Sequence, residues 1–376
     1  MKTLGVGMIG FGFMGKTHTY CYRNLPLFFD PAPANIRLVA VATSCEETAW
    51  KAATQGGYEE GTCEWQELMR RDDIDIINIC SPNRLHAEQL VAAMAAGKHI
   101  YCDKPLVVTD AEAGQVEVAL QAWKGIGQVT FHNRFFSATL RARQLVEEGF
   151  LGEVTGFRAA YLHSGSLDPN RPMGWKQLRS EGGGVLQDLG SHVLDLVTWL
   201  IGPLAEVLAA TYVLYPERLW KGENVRVDAE DSAVVLCRLA NGAVGTLEAS
   251  KIATGAEDEL RFELHGTQGA LRFNLMDPSW LEAYDVRDPE TPLGGTRGWK
   301  RIATVQRYEK PAGFPTAKAT PGWLRAHMQS LYSFVDAVAR GEQREPSIQR
   351  GLEIQRVLAA MERSAQEGAW QRPGGK

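Results

Sequence analysis

Two rhythms of apolar and polar positions divide the chain. Up to about residue 125, short apolar runs alternate with amphipathic stretches. LGVGMIG is an apolar run ending in glycine, and KTHTYCYRNL after it reads as a helix. IRLVAVAT is a second buried strand and CEETAWKAATQ a helix. DIDIINICS is a third strand, followed by the amphipathic helix RLHAEQLVAAMAAG, which Gly97 closes. KHIYCDKP is a short fourth strand. TDAEAGQVEVALQAWKG is another helix, with Thr109 or Asp110 at its cap. Buried strands alternating with helices predict a doubly wound parallel sheet.

From about residue 131 the strands lengthen: EVTGFRAAYLH, LAEVLAATYVLY, DSAVVLCRLANGAVGTLEASKI and ELRFELHGTQGALRFNL. Asn241-Gly242 between two apolar runs predicts a hairpin. The helix within EGGGVLQDLGSHVLDLVTWL (181–200) is expected on one face of a mostly antiparallel sheet. Residues 285–322, rich in Pro, Gly and charge, read as a surface excursion, and two helices close the chain. The expected fold class is α/β: a Rossmann-like domain over 1–128, then an α+β domain over 129–376 with a large open, mostly antiparallel sheet.

Bulk composition narrows the picture. A chain of 376 residues calls for two domains. Apolar content of 44% and charged content of 23% are those of a soluble globular protein. A net charge of −5 offers no footing for nucleic acid or an anionic membrane, and no apolar run reaches the ~18 residues of a membrane span. MKTLGVGMIGFG superficially suggests a signal peptide, but its single lysine and short apolar stretch fit a first strand better. The six cysteines lack metal-ligand spacing, so no metal site is expected; reduced core thiols suit a cytoplasmic protein.

The first candidate chemistry is GFGFMG, which matches G-x-G-x-x-G between a strand and a helix. Gly10 allows the tight turn, Gly12 lets backbone approach a pyrophosphate, and Gly15 lets helix pack on strand, with Phe13 and Met14 between them. The helix start offers free N–H groups and partial positive charge to phosphates. The second strand ends in Thr43-Ser44, where an acid that grips the ribose of NAD is absent. Small hydroxyls leave room for a 2′-phosphate, which tilts the reading toward NADP, yet no arginine follows to clamp one. Both coenzymes stay open. Ser81, Asn83 and His86 follow the third strand where ligands bind in such sheets; they are candidates for cofactor contact, against the alternative of a turn and helix cap. Asp103 and Lys104 end the fourth strand, and the proline after Lys104 holds it extended at the nicotinamide crevice.

In the 181–200 helix, Asp188, His192, Asp195 and Trp199 fall within about 60° of one another, beside the apolar stripe. Asp188 and His192 are four apart, so they can touch. A carboxylate beside an imidazole fixes its tautomer and suits it to taking a proton from a hydroxyl. The alternative is a buried structural pair, with Asp195 bracing the helix and Trp199 packing in the core. The polar segment HSGSLDPNRPMGW offers donors and an aromatic edge to a polyhydroxylated ring. Asn133, Arg134, His163, Asp168, Arg171, Trp175 and Lys176 are therefore candidate substrate contacts.

GFGFMGKTH, CSPNRLHAE, DKP, FHNRF and GGGVLQDLGSHVLDL together resemble the family of glucose–fructose oxidoreductase, myo-inositol dehydrogenase and related sugar dehydrogenases, essentially end to end. The resemblance implies a nicotinamide-dependent dehydrogenase acting on a secondary alcohol of a sugar or cyclitol, with Lys104, Asp188 and His192 as catalytic elements. Asp103 stands where the family more often has glutamate, and Thr43-Ser44 departs from the NAD-type acid. The resemblance also implies C-terminal helices packed back on the first domain and a homodimer or homotetramer through the open sheet face. Two rivals remain: another reaction in the same fold, such as dihydrodiol oxidation, tetrapyrrole reduction or glycoside processing through a 3-keto sugar, and a non-catalytic dinucleotide-binding sensor.

Overall fold

The computed structural model describes residues 2–220 and 222–374. It divides into two compact units. One runs to Phe135 and takes in Tyr308–Ala317 and Gly322–Gln355; the other holds Phe136–Arg307, Lys318–Pro321 and the chain from Arg356 onward.

The first unit is built from β1 (Thr3–Ile9), α1 (Phe13–Phe28), β2 (Asn35–Ala42), α2 (Glu46–Gly56), β3 (Glu60–Thr62), α3 (Trp65–Arg70), β4 (Ile76–Ile79), α4 (His86–Ala95), β5 (His99–Cys102), α5 (Asp110–Ala122) and β6 (Gly127–Val129). The six strands are parallel in the order β3-β2-β1-β4-β5-β6. Strand order reverses between β1 and β4, so a crevice opens beyond their carboxyl ends. Leu4, Val6, Met8, Ile76, Ile77 and Ile79 are fully or almost fully buried, as central strands covered on both faces must be. At α5 the cap is Thr109: its hydroxyl takes the Glu112 N–H, and the Glu112 carboxylate takes the Thr109 N–H. Such a box stabilises a helix start by about 1 kcal/mol.

The second unit contains α6 (Ser137–Glu147), β7 (Val154–Leu162), α7 (Ser191–Ile201), β8 (Leu204–Tyr212), β9 (Glu217–Trp220), β10 (Glu223–Arg226), β11 (Ser232–Leu239), β12 (Val244–Ser250), β13 (Glu259–Gly266), β14 (Gly269–Asn274), β15 (Trp280–Asp285) and β16 (Lys300–Ala303). Eight strands form one sheet in the order β16-β15-β14-β13-β7-β12-β11-β8. The β7–β12 pair is parallel and the other neighbouring pairs are antiparallel. The predicted hairpin turn joins β11 to β12, with Gly242 at φ +88°. Helix α7 packs against β7, β12 and β13. On β11, Ala233, Val235 and Cys237 are buried while Val234 and Leu236 are exposed, so one sheet face is open.

Two long helices follow, α8 (Trp323–Arg340) and α9 (Ile348–Glu367). The first unit claims α8: Met328, Leu331, Phe334, Val335 and Val338 share a core with Tyr22 and Leu25 of α1. Full burial of an apolar side chain of this size contributes roughly 1.5–3 kcal/mol. The Tyr101 hydroxyl of β5 meets Ser330 Oγ of α8 at 2.9 Å.

Candidate active site

The glycine loop between β1 and α1 has the geometry its spacing asks for. Gly10 has φ +89°, and a Cβ there would lie 2.5 Å from the Cys80 carbonyl oxygen. A Cβ at Gly15 would lie 2.3 Å from the Gly10 carbonyl oxygen, whereas one at Gly12 would meet nothing within 4 Å. Gly12 caps α1 without a side-chain hydrogen bond, so the first-turn N–H groups face a cradle of bare backbone. The loop fits a dinucleotide pyrophosphate. Phe13 is exposed and Met14 half-buried at this start. At the end of β2, Thr43 Oγ1 lies 2.6 Å from Thr48 Oγ1, and Ser44 is exposed. Exposed Glu46 and Glu47 occupy the first turn of α2.

Three residues beyond Gly15, His18 is buried. Its Nδ1 accepts from the Asn78 side-chain amide at 3.0 Å and lies 3.1 Å from Cys80 Sγ. Burial lowers its pKa to about 4, outweighing the Asp103 charge and the Asn78 hydrogen bond, which both raise it.

At the end of β4, the Ser81 hydroxyl donates to Gln89 Oε1 at 2.6 Å, and Asn83 is buried. His86 departs from the expectation of cofactor contact. Its Nδ1 lies 2.9 Å from the Pro105 carbonyl oxygen and its Nε2 3.0 Å from that of Ser81. Both ring nitrogens are turned to backbone, and the imidazole braces the β4 turn against the residue after Lys104. Lys104 is half-buried, and its N–H donates to Asp103 Oδ1 at 2.9 Å. Asn133 and Arg134 are buried in the single turn His132–Phe135, which belongs to the first unit rather than to the sheet-bearing one.

In the second unit, the segment expected to be one regular helix begins with a wider π turn over Leu186–Gly190 and continues as α7. Such turns recur at functional sites. The glycines before it serve close packing: a Cβ at Gly183 would lie 2.4 Å from the Lys176 carbonyl oxygen. One at Gly184, where φ is +109°, would lie 2.6 Å from Glu230 Oε1. Glu230 is buried; Oε1 takes the Leu186 N–H at 3.0 Å, and Arg179 donates to Oε2 at 3.1 Å.

Asp188 Oδ2 receives two ammonium groups, Lys176 Nζ at 2.9 Å and Lys251 Nζ at 3.1 Å. His192 is 6% exposed and meets the Tyr161 ring edge-on at 5.9 Å. Tyr161 in turn donates its hydroxyl to Asp258 Oδ1 at 2.7 Å, and His163 Nε2 lies 3.0 Å from the same oxygen. Ends of three adjacent strands, β12, β7 and β13, therefore set Lys251, His163 and Asp258 side by side. Asp195 is buried on α7, and Arg143 lies over the Trp199 ring.

Other loop candidates bind their own loop. Asp168 accepts the Asn170 N–H, and Arg171 donates to the Gly165 carbonyl. Trp175 is half-buried beneath the Lys176 ammonium, 5.7 Å from its ring centre. Buried Arg218 gathers the carbonyls of Ser166, Asp168 and Arg171. Lys251, Asp258, Tyr161, Glu230 and Arg218 were missed, since each reaches the site from a distant strand and no local spacing marks it. Among the described residues no group of three or more His, Cys, Asp or Glu is placed to hold a metal ion, and no helix is long and apolar enough to cross a membrane.

Comparison with known proteins agrees with this geometry. Residues 4–131 match the oxidoreductase family with an NAD-binding Rossmann fold, and 139–272 match the GFO/IDH/MocA C-terminal domain. Levoglucosan dehydrogenase of Pseudarthrobacter phenanthrenivorans is 33% identical, over 98% of both chains. The chain belongs to the GFO/IDH/MocA oxidoreductase family. As a member it is a nicotinamide-dependent oxidoreductase. Inositol 2-dehydrogenase of Rhizobium meliloti is 28% identical, over 97% of this chain and 98% of the relative. A solved complex of levoglucosan dehydrogenase with NADH and levoglucosan superposes with TM-score 0.94 at 33% identity, covering 100% of each chain. An NAD-binding oxidoreductase from Klebsiella pneumoniae superposes with TM-score 0.93 at 31% identity, again over 100% of each chain.

Proposed function

We propose that this GFO/IDH/MocA protein oxidises a secondary alcohol of levoglucosan or a closely related sugar or cyclitol, with NAD as coenzyme. The observation that carries the reading is the cluster at the strand ends of the second unit. There a buried imidazole, His192, stands one turn from a carboxylate bracketed by two lysines. His192 takes the proton of the substrate hydroxyl. Lys104 is assigned the stabilisation of the negative charge that develops in the reaction, the larger electrostatic contribution. Asp188 accepts a hydrogen bond from a neighbouring hydroxyl. Asn133, Arg134, His163, Trp175 and Lys176 are assigned to the rest of the ring. When bound, the nicotinamide supplies the hydride chemistry. The bare cradle at Gly10, Gly12 and Gly15, with Phe13 and Met14, holds the pyrophosphate, while Ser81, Asn83 and Asp103 line the crevice.

Support for NAD over the NADP tilt of the bare sequence comes from two acids. Glu46 and Glu47 open α2 beside Thr43-Ser44, where a 2′-phosphate would meet like charge. NADH is also the coenzyme bound in the levoglucosan dehydrogenase complexes. Titration with NADH and NADPH, then an oxidation screen with levoglucosan, myo-inositol and D-glucosides, tests the whole reading. Expected are tighter NADH binding, turnover of at least one of these compounds, and losses on the order of 10³-fold in kcat/KM for Lys104→Ala and His192→Ala with NADH affinity retained. Coenzyme binding with no turnover across the panel would instead make the protein a sensor.

We also propose self-association through the open sheet face, where Leu208, Ala210, Val234 and Leu236 lie on paired strands. Leu236→Glu should yield a smaller species in sedimentation; an unchanged mass would refute the assignment.

A further inference from the structure

Two lysines converge on a single oxygen of Asp188, and their settings differ. Lys251 extends from the end of β12 with its side chain 11% exposed; Lys176 stands on the single turn Trp175–Gln177 with its side chain 47% exposed. The Lys251 backbone is fixed from both sides: its N–H donates to the Asp231 carbonyl at 2.8 Å, and its carbonyl accepts from the Ser166 N–H at 2.9 Å. An exposed ion pair is screened by water and contributes little, whereas removing one member of a buried pair strands a charge.

We propose that Lys251 is a positioning residue, the fixed counter-ion that aims Asp188 at the substrate, and that Lys176 is the exchangeable partner whose place on Oδ2 a substrate hydroxyl takes. This rests on the reading of Asp188 as a substrate-facing group. It makes the ion pair with Lys176 a resting-state cover of the carboxylate and the pair with Lys251 a permanent mount.

Steady-state kinetics on the full chain with NAD and levoglucosan, or whichever panel compound turns over, test the asymmetry. Lys251→Met should lower kcat on the order of 10–100-fold through misplacement of Asp188, with Lys251→Arg recovering most of it. Lys176→Met should act chiefly on KM, with a smaller effect on kcat than Lys251→Met. Because Lys251 works through Asp188, the double variant Lys251→Met/Asp188→Asn should be no worse than Asp188→Asn alone. Wild-type kcat in Lys251→Met, equal effects at the two lysines, or additive losses in the double variant would overturn the proposal. A wild type silent toward every compound would sink the proposed function instead. The mount is then read in thermal melts: Lys251→Met lowers Tm, Asp188→Asn cancels that drop, and Lys176→Met leaves Tm unchanged. Equal drops for the two lysines would again overturn it.

Discussion

Gly10–Gly15 and Gly182–Gly184 each lead into a helix, yet a Cβ at Gly12 would meet open space while one at Gly183 would strike the Lys176 carbonyl oxygen. In the first unit the helix start is kept bare, with no side chain capping its first-turn N–H groups, as an external anion would require. In the second, the protein's own Glu230 carboxylate already takes the Leu186 N–H and fills the space over Gly184. Glycine runs ahead of helices thus have two uses that the sequence spells alike. One clears room for a ligand; the other lets the chain close upon itself and hold a side-chain cluster rigid.

The comparison breaks most readily at Gly15. Gly15→Val forces a side chain into the Gly10 carbonyl and should weaken NADH binding by 100-fold or more, about 3 kcal/mol, in a fluorescence titration. Undiminished NADH affinity would mean the loop does not carry the phosphates. An effect of similar size belongs to His18, just inside the same helix. Its folded pKa of about 4 lies below the ordinary 6.5, so between those values the unfolded chain binds a proton that the folded chain refuses. Stability is therefore unaffected by this group above pH 6.5 and falls as pH drops toward 4, by about 3 kcal/mol at the lower end. Urea denaturation at pH 7, 5 and 4 should show this acid sensitivity reduced in His18→Gln; parallel curves for the two proteins would contradict it. The mildest change is Glu230→Gln, which keeps the shape over Gly184 and removes the charge. It should cost about 1–2 kcal/mol, visible as a Tm lowered by a few degrees, with NADH affinity untouched. A loss of NADH affinity in that variant would blur the division of labour between the two glycine runs.

Much of the scaffold was written in local pattern. The strand–glycine–helix junction, the Thr109 cap and the Asn241-Gly242 hairpin are each set by residues within a few positions of one another. The short β3 and β6 escaped because three residues carry no period. The π turn escaped for another reason: one wide turn barely disturbs the apolar spacing of Leu186, Leu189 and Val193, so the pattern reads as one regular helix. Asp188 and His192 stood out as a candidate pair because they share a segment. Their surroundings did not, because Lys251 and Asp258 arrive through sheet register and Glu230 from a distant loop, which no single stretch of chain encodes. For His86, proximity to Asn83 along the chain said nothing about the direction of its ring, whose nitrogens lie against the Pro105 and Ser81 carbonyls.

That ring has a consequence for how the molecule responds to its coenzyme. One imidazole lies between the Ser81 carbonyl, two residues ahead of Asn83, and the Pro105 carbonyl just after Lys104, so the turn proposed to receive the nucleotide and the amine proposed to meet the alcohol share a strut. Linkage works equally in both directions: if filling the crevice tightens the turn and thereby seats the amine, an alcohol that seats the amine must slow coenzyme departure to the same degree. Order of arrival and order of release would then be properties of a single side chain lying outside the chemistry it coordinates.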